Sequence, residues 1–160
     1  MILVTVGMHS QGFDRLIYAM DQLSGKIQEK IIIQIGKSRY VPKNIKYFRF
    51  INQATFLELI KKSKLVISHG GTASIYQSLQ YDKPIIIVPR LKKFGEHIDD
   101  HQLELAKYLE KKGLAEVVID VNELEKIIKK CLLRKKFKNK NVEHGNLNTI
   151  IMNLINYIIK

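Results

Sequence analysis

Four short runs of aliphatic residues carry almost no polar alternation: Ile2-Leu3-Val4-Thr5-Val6, Ile31-Ile32-Ile33-Gln34-Ile35, Leu65-Val66-Ile67 and Ile85-Ile86-Ile87-Val88. A strand with one wet face alternates apolar and polar residues, so a strand that does not alternate must be covered on both faces. The dominance of β-branched Ile and Val favours strands over helices for these runs. Between them lie segments with apolar residues at helical spacing. In residues 13–23, Leu16, Ile17, Met20 and Leu23 share one face. Further helices are predicted over 56–62, 75–81, 98–112, 121–133 and 147–159, with weaker strands over 45–51 and 115–119. Buried strands alternating with helices give a doubly wound, Rossmann-like α/β fold, a parallel sheet between two helical layers. The 160 residues fit a single domain, 1–160, whose last segment, 144–160, is read as a contact for a partner or a membrane surface.

In a sheet of this kind ligands bind beyond the carboxyl ends of the strands, where the strand order reverses. The loops there are residues 7–12, 36–40, 51–55, 68–74 and 90–102. They hold His9, Gln11, His69, Thr72, Ser74, Glu96, His97, Asp99, Asp100, His101 and Gln102, and of the 5 histidines in the chain only His144 lies elsewhere.

The stretch Leu65-Val66-Ile67-Ser68-His69-Gly70-Gly71-Thr72 reads as a buried strand entering a helix through two glycines. Such a turn leaves backbone N–H groups uncovered at the positive end of a helix dipole, which suits a phosphate or diphosphate. On that reading the amides of Gly70, Gly71 and Thr72 meet the anion and His69 donates beside them. Ser74 and Gln77, three apart on one helical face, reach phosphate and ribose. The alternative is a plain turn with Thr72 as N-cap.

The run Glu96-His97-Ile98-Asp99-Asp100-His101-Gln102 mixes carboxylates and imidazoles but lacks the His-Glu-x-x-His spacing of a zinc helix, so no metal site is assigned. Asp99 and Gln102 fit a capping box. Gln102 also lies on the stripe of Leu105, Ala106 and Leu109, where an inward amide needs polar partners such as sugar hydroxyls. The first loop, Gly7-Met8-His9-Ser10-Gln11-Gly12, is not a dinucleotide fingerprint, and neither a P-loop nor a G-x-S-x-G elbow occurs. NAD-dependent oxidoreductases, P-loop NTPases and α/β-hydrolases are thereby disfavoured.

Lys and Arg total 27 against 15 Asp and Glu, a net charge of +12 concentrated between Lys126 and Lys140. Anionic lipid or an acidic partner would meet such a run. Nucleic acid is not assigned, because the run lacks the interleaved aromatics of a base-stacking platform. A lone cysteine, Cys131, permits no internal disulfide and fits a cytoplasmic location.

Taken together, Val4-Thr5-Val6-Gly7-Met8-His9 with Phe13-Asp14-Arg15-Leu16-Ile17, Ile67-Ser68-His69-Gly70-Gly71, and the block Pro89–Gln102 resemble the donor-binding half of GT-B glycosyltransferases. The likeness is to the small single-domain group of the Alg13 and PssE type, and the block 89–102 resembles its bacterial exopolysaccharide branch. The resemblance implies a UDP-sugar substrate and no further cofactor. It places Gly7, His9, Ile51, His69, Gly70, Gly71, Thr72, Ser74, Gln77, Glu96, Asp100, His101 and Gln102 around the donor, with Ile51 beside uracil and Gln102 and His101 near the sugar. Gln77 stands where relatives such as MurG carry a ribose-binding glutamate. Met8 and Ser10 depart from the Thr and Glu expected there. The resemblance further implies a membrane-anchored acceptor-binding subunit of the PssD or Alg14 type and a lipid-linked saccharide acceptor, at the inner face of the cell membrane. It names no catalytic base. The alternative within the same fold is a subunit that only activates a partner transferase.

Overall fold

The computed structural model describes residues 1–134 and Thr149. Strands β1 (Ile2–Thr5), β2 (Ile31–Gln34), β3 (Lys46–Phe48), β4 (Leu65–Ser68), β5 (Ile85–Ile87) and β6 (Glu116–Val117) form one sheet in the order β3-β2-β1-β4-β5-β6. Every neighbouring pair is parallel. The order reverses between β1 and β4, so their two carboxyl ends open a crevice, as in other doubly wound sheets.

The aliphatic runs behave as their composition requires. Side chains from alternate strand positions enter opposite layers. Ile2, Val4, Ile33 and Ile67 pack with Leu16, Ile17 and Met20 of α1 (Asp14–Leu23) and with Leu124, Ile128 and Cys131 of α5 (Leu124–Leu133). On the opposite face Leu3 and Val66 meet Ile60 of α2 (Gln53–Lys62). There too, Ile85 and Ile87 meet Ile75 and Leu79 of α3 (Thr72–Gln80) and Leu105, Ala106 and Leu109 of α4 (His101–Lys111). Each aliphatic side chain so buried contributes roughly 1.5–3 kcal/mol, which makes these positions the anchor of the sheet.

Four helix starts, those of α2, α3, α4 and α5, differ from the sequence expectation. Helix α2 begins at Gln53, not at 56, because the Asn52 side chain accepts from the Thr55 amide at 2.8 Å and caps it. Helix α4 begins at His101, not at 98, and the expected capping box does not form. Asp100 takes the cap position without a side-chain cap bond, its Oδ1 instead accepting from the Lys92 amide at 3.0 Å. Asp99 accepts from the His101 amide at 3.1 Å. Helix α3 starts at Thr72 with Gly71 in the cap position and no side-chain cap, so Thr72 is not the N-cap. A single 3-10 turn over Val121–Glu123 precedes α5. The helix expected over 147–159, within the C-terminal segment 144–160, falls outside the described residues apart from Thr149.

Candidate functional site

The crevice between β1 and β4 is a cavity of about 470 Å³. One side is built by the β4–α3 turn and the first turns of α3, through His69, Gly71, Thr72, Ala73, Ser74 and Gln77. Thr5, Gly7, Met8 and Gln34 contribute from β1 and β2, while Ile51, Gln53 and Phe56 contribute from the start of α2. Helix α3 points its uncapped amino end at this space. Its first amides therefore lack intrahelical acceptors and carry the positive end of the dipole. At the back, Thr5 donates to Gln34 Oε1 at 2.5 Å across the β1–β2 register, two polar groups that satisfy each other inside an aliphatic sheet.

His69 is the most constrained group of the site. Its backbone amide donates to the Thr5 carbonyl at 3.1 Å, and its ring Nδ1 stands 3.3 Å from the same oxygen. A carbonyl only accepts, so Nδ1 carries the proton. The rest of the ring is clamped between Gly7 and Gly71. A Cβ at Gly7 would stand 2.5 Å from Nε2, and one at Gly71 would also collide with it. Gly7 further holds φ +74, a conformation that favours glycine. Burial pushes the imidazole down to about 4, and the nearby Arg90, His9 and His97 act in the same direction. At neutral pH the ring is uncharged and Nε2 bears a lone pair. In this structure the cavity edge of His69 is therefore an acceptor, where the sequence reading has a donor beside the anion.

Ser74 lines the cavity, but its hydroxyl is engaged, 3.0 Å from Ser68 Oγ and 3.0 Å from the Gly71 carbonyl. Gly70 does not line the cavity; it has φ +97, and a Cβ there would stand 3.2 Å from Cβ of Gln102. Of the residues expected from the sequence, Gly7, Ile51, His69, Gly71, Thr72, Ser74 and Gln77 converge on the cavity.

His9, Glu96, Asp100, His101 and Gln102 do not line it. Glu96 is 6% exposed; its carboxylate accepts twice from Arg15, at 2.9 Å each, and once from the Leu91 amide at 3.0 Å. These bonds hold the β5–α4 loop, and they leave the carboxylate no part in the cavity. Gln102 accepts from the Arg90 amide at 3.2 Å, and Asp100 closes a turn onto Lys92. The Asp99 carboxylate lies 2.9 Å from His97 Nδ1 and 3.1 Å from His101 Nδ1, and the His9 ring lies 5.0 Å from that of His97. Burial works against ionisation of Asp99, but the His101 amide and the two imidazoles outweigh it and hold the carboxyl below its usual range.

Sequence reasoning missed Arg90, which is 1% exposed. Its guanidinium donates to the carbonyls of Val6 at 2.8 Å, Gln11 at 3.0 Å, Gly12 at 2.7 Å and Glu96 at 3.1 Å, and lies 4.9 Å over the Phe13 ring. Burial draws it down to about 10, with Glu96 opposing, so it remains a cation at neutral pH. The signal was a charge directly after Ile85-Ile86-Ile87-Val88-Pro89; its partners come from loops distant in sequence. Thr5, Met8, Gln34, Gln53, Phe56 and Ala73 were also missed. Thr5 and Gln34 were legible as polar residues interrupting aliphatic runs.

The family description "Glycosyltransferase family 28 C-terminal domain" matches residues 1–152. The chain belongs to this family. Among similar proteins, the human UDP-N-acetylglucosamine transferase subunit ALG13 is 36% identical over 126 residues, covering 70% of this chain and 10% of the relative. In Prochlorococcus marinus strain MIT 9312, the UDP-N-acetylglucosamine–N-acetylmuramyl-(pentapeptide) pyrophosphoryl-undecaprenol N-acetylglucosamine transferase is 27% identical over 185 residues, covering 99% of this chain and 49% of the relative. The chain thus spans half or less of the length of these relatives. The NMR solution structure of ALG13 superposes with a TM-score of 0.63 at 20% identity, over 94% of each chain. Acinetobacter baumannii MurG superposes with a TM-score of 0.59 at 17% identity, over 96% of this chain and 49% of that one. The fold is the Rossmann-like C-terminal half of a GT-B glycosyltransferase, of the Alg13 type, as the sequence resemblance implied.

Proposed function

We propose that this chain is the donor-binding, catalytic subunit of an inverting, UDP-sugar-dependent glycosyltransferase. The observation that carries this reading is the cavity at the β1–β4 reversal, where an uncapped helix end faces a space walled on its far side by Ile51 and Phe56. The diphosphate sits on the first amides of α3, with uracil toward the apolar wall and the ribose within reach of Gln77. The relatives named for UDP-N-acetylglucosamine transfer support a UDP-sugar as donor.

In the reaction an acceptor hydroxyl attacks the anomeric carbon and gives its proton to a base on the acceptor side, the bond from that carbon to the diphosphate oxygen breaks, and UDP leaves with the electron pair. The chain contributes positioning of the donor and stabilisation of charge on the leaving diphosphate, the work of preorganised N–H groups. The acceptor is a lipid-linked saccharide presented by a membrane-anchored subunit of the Alg14 or PssD type, in capsular or extracellular polysaccharide synthesis. The complex works at the cytoplasmic face of the membrane.

Calorimetry with UDP and UDP-sugars tests the donor site. Saturable binding that weakens in Gly71→Ala supports it, whereas a subunit that merely activates a partner binds neither ligand. Transfer from UDP-sugar to a lipid acceptor in membranes carrying the chain and its partner tests the rest.

A further inference from the structure

The hydrogen-bond requirements of His69 conflict with the ligand proposed for the cavity. Its Nδ1 must keep a proton for the Thr5 carbonyl, 3.3 Å away. Among the described residues nothing hydrogen-bonds Nε2, although the residue is only 9% exposed and lines the cavity between Gly7 and Gly71. A diphosphate only accepts hydrogen bonds, so it cannot pair with a bare Nε2. Moving the proton to Nε2 would satisfy the phosphate but set a lone pair against the Thr5 carbonyl. Turning the ring over would set Cδ2 in place of Nδ1 at the Thr5 carbonyl and give up that hydrogen bond. One protonation state satisfies both sides: the imidazolium, with Nδ1–H on the carbonyl and Nε2–H on a phosphate oxygen.

We infer that binding of the nucleoside-diphosphate sugar takes up a proton onto His69, so that the cation facing the leaving diphosphate arrives with the substrate. The inference rests on the donor-site reading above. The groups facing the ring are the cation of Arg90, behind β5, and the imidazoles of His9 and His97, from the first loop and the β5–α4 loop; all oppose a second proton. The Thr5 carbonyl favours it. Two diphosphate charges at the α3 terminus reverse that balance, because an opposite charge within about 4–6 Å favours the charged form. When the anomeric bond breaks, the Nε2–H is already aimed at the oxygen that gains charge. No proton need leave the ring for UDP to depart.

The experiment uses the intact chain and a UDP-sugar, whose diphosphate does not titrate between pH 6 and about 8. Calorimetry at pH 6 and at pH 7 in two buffers of small and large ionisation enthalpy counts the protons exchanged. The expected result is uptake of a fraction of a proton per donor bound, larger at pH 6 than at pH 7, with affinity falling by up to about tenfold per pH unit between the pKa of the free ring and that of the occupied ring. In ¹⁵N NMR of the ring nitrogens, His69 passes from the Nδ1–H neutral form to the doubly protonated form when the donor is added. His69→Gln keeps a side-chain donor without a titrating group, and binds with no proton uptake. Because the NMR readout is on the unaltered chain, a misfolded variant does not decide the matter. Saturable binding with no proton uptake and a neutral His69 ring overturns the inference and leaves the donor site standing. Absence of binding heat and of any ring shift overturns the donor-site reading, and this inference with it.

Discussion

Two polar regions sit at the carboxyl edge of the sheet, and they use their chemistry in opposite ways. The β4–α3 turn has few charged groups, yet it leaves polar valences open: the first amides of α3 and Nε2 of His69. The β5–α4 loop is dense in charge, yet its charges are taken up by Arg15 and by backbone groups of the loop and of residues 6–12. Arg90 spends its guanidinium on four backbone carbonyls, and Glu96 meets Arg15 and the Leu91 amide. A ligand is held by groups left unsatisfied in the right place, and a concentration of ionisable side chains in sequence does not show which groups those are.

The sharpest way to separate the two regions is to remove Arg90. Arg90→Ala leaves several buried carbonyls without donors and should cost roughly 3–5 kcal/mol of stability in denaturant titration. A loss below about 1 kcal/mol would mean that the loop is not held from within. A pH series comes next. Because His69 sits at about 4 when folded, against about 6.5 in the unfolded chain, the unfolded state binds more protons between those values. The stability it contributes is complete above about pH 6.5 and is lost as the pH falls toward 4, on the order of 2–3 kcal/mol in all. A melting curve flat across that window breaks the account of the clamped neutral ring.

Gly71→Ala probes the open region without backbone strain, since Gly71 has φ −69. The new Cβ displaces the His69 ring, and UDP affinity should fall about thirtyfold, measured by calorimetry. Glu96→Gln probes the closed region. It should lower stability by about 1.5–2 kcal/mol through the weakened Arg15 pair while leaving UDP affinity within about twofold. The reverse pattern would restore Glu96 to the donor site. The smallest effect is expected from Gln77→Glu, which puts a carboxylate at a cavity-lining position and should tighten UDP binding by about threefold to tenfold through a charge-assisted bond to the ribose.

The sheet was legible because its strands are buried on both faces, and Ile-Ile-Ile runs admit few other interpretations. Elements whose limits depend on a single side-chain bond were less so. Asn52 lengthens α2 by capping it, and Asp99 and Gln102 do not form the box that their spacing promised. In the site, the glycine pair marked the β4–α3 turn from sequence because the signal is local. The pairing of Glu96 with Arg15 was not legible because the two lie 81 residues apart. Arg90 was overlooked for the same reason, as its carbonyl partners at Val6, Gln11 and Gly12 assemble only when β1 and β5 join one sheet. The protonation of His69 depends on the Thr5 carbonyl, 64 positions earlier, and no local motif announces it.

A crystal structure of the chain with UDP tests the central claim most directly. The account predicts the diphosphate on the amides of Thr72 and Ala73 against His69, with uracil between Ile51 and Phe56. Nucleotide bound instead along the 96–101 loop, or a β4–α3 turn closed to it by side chains, would contradict the account.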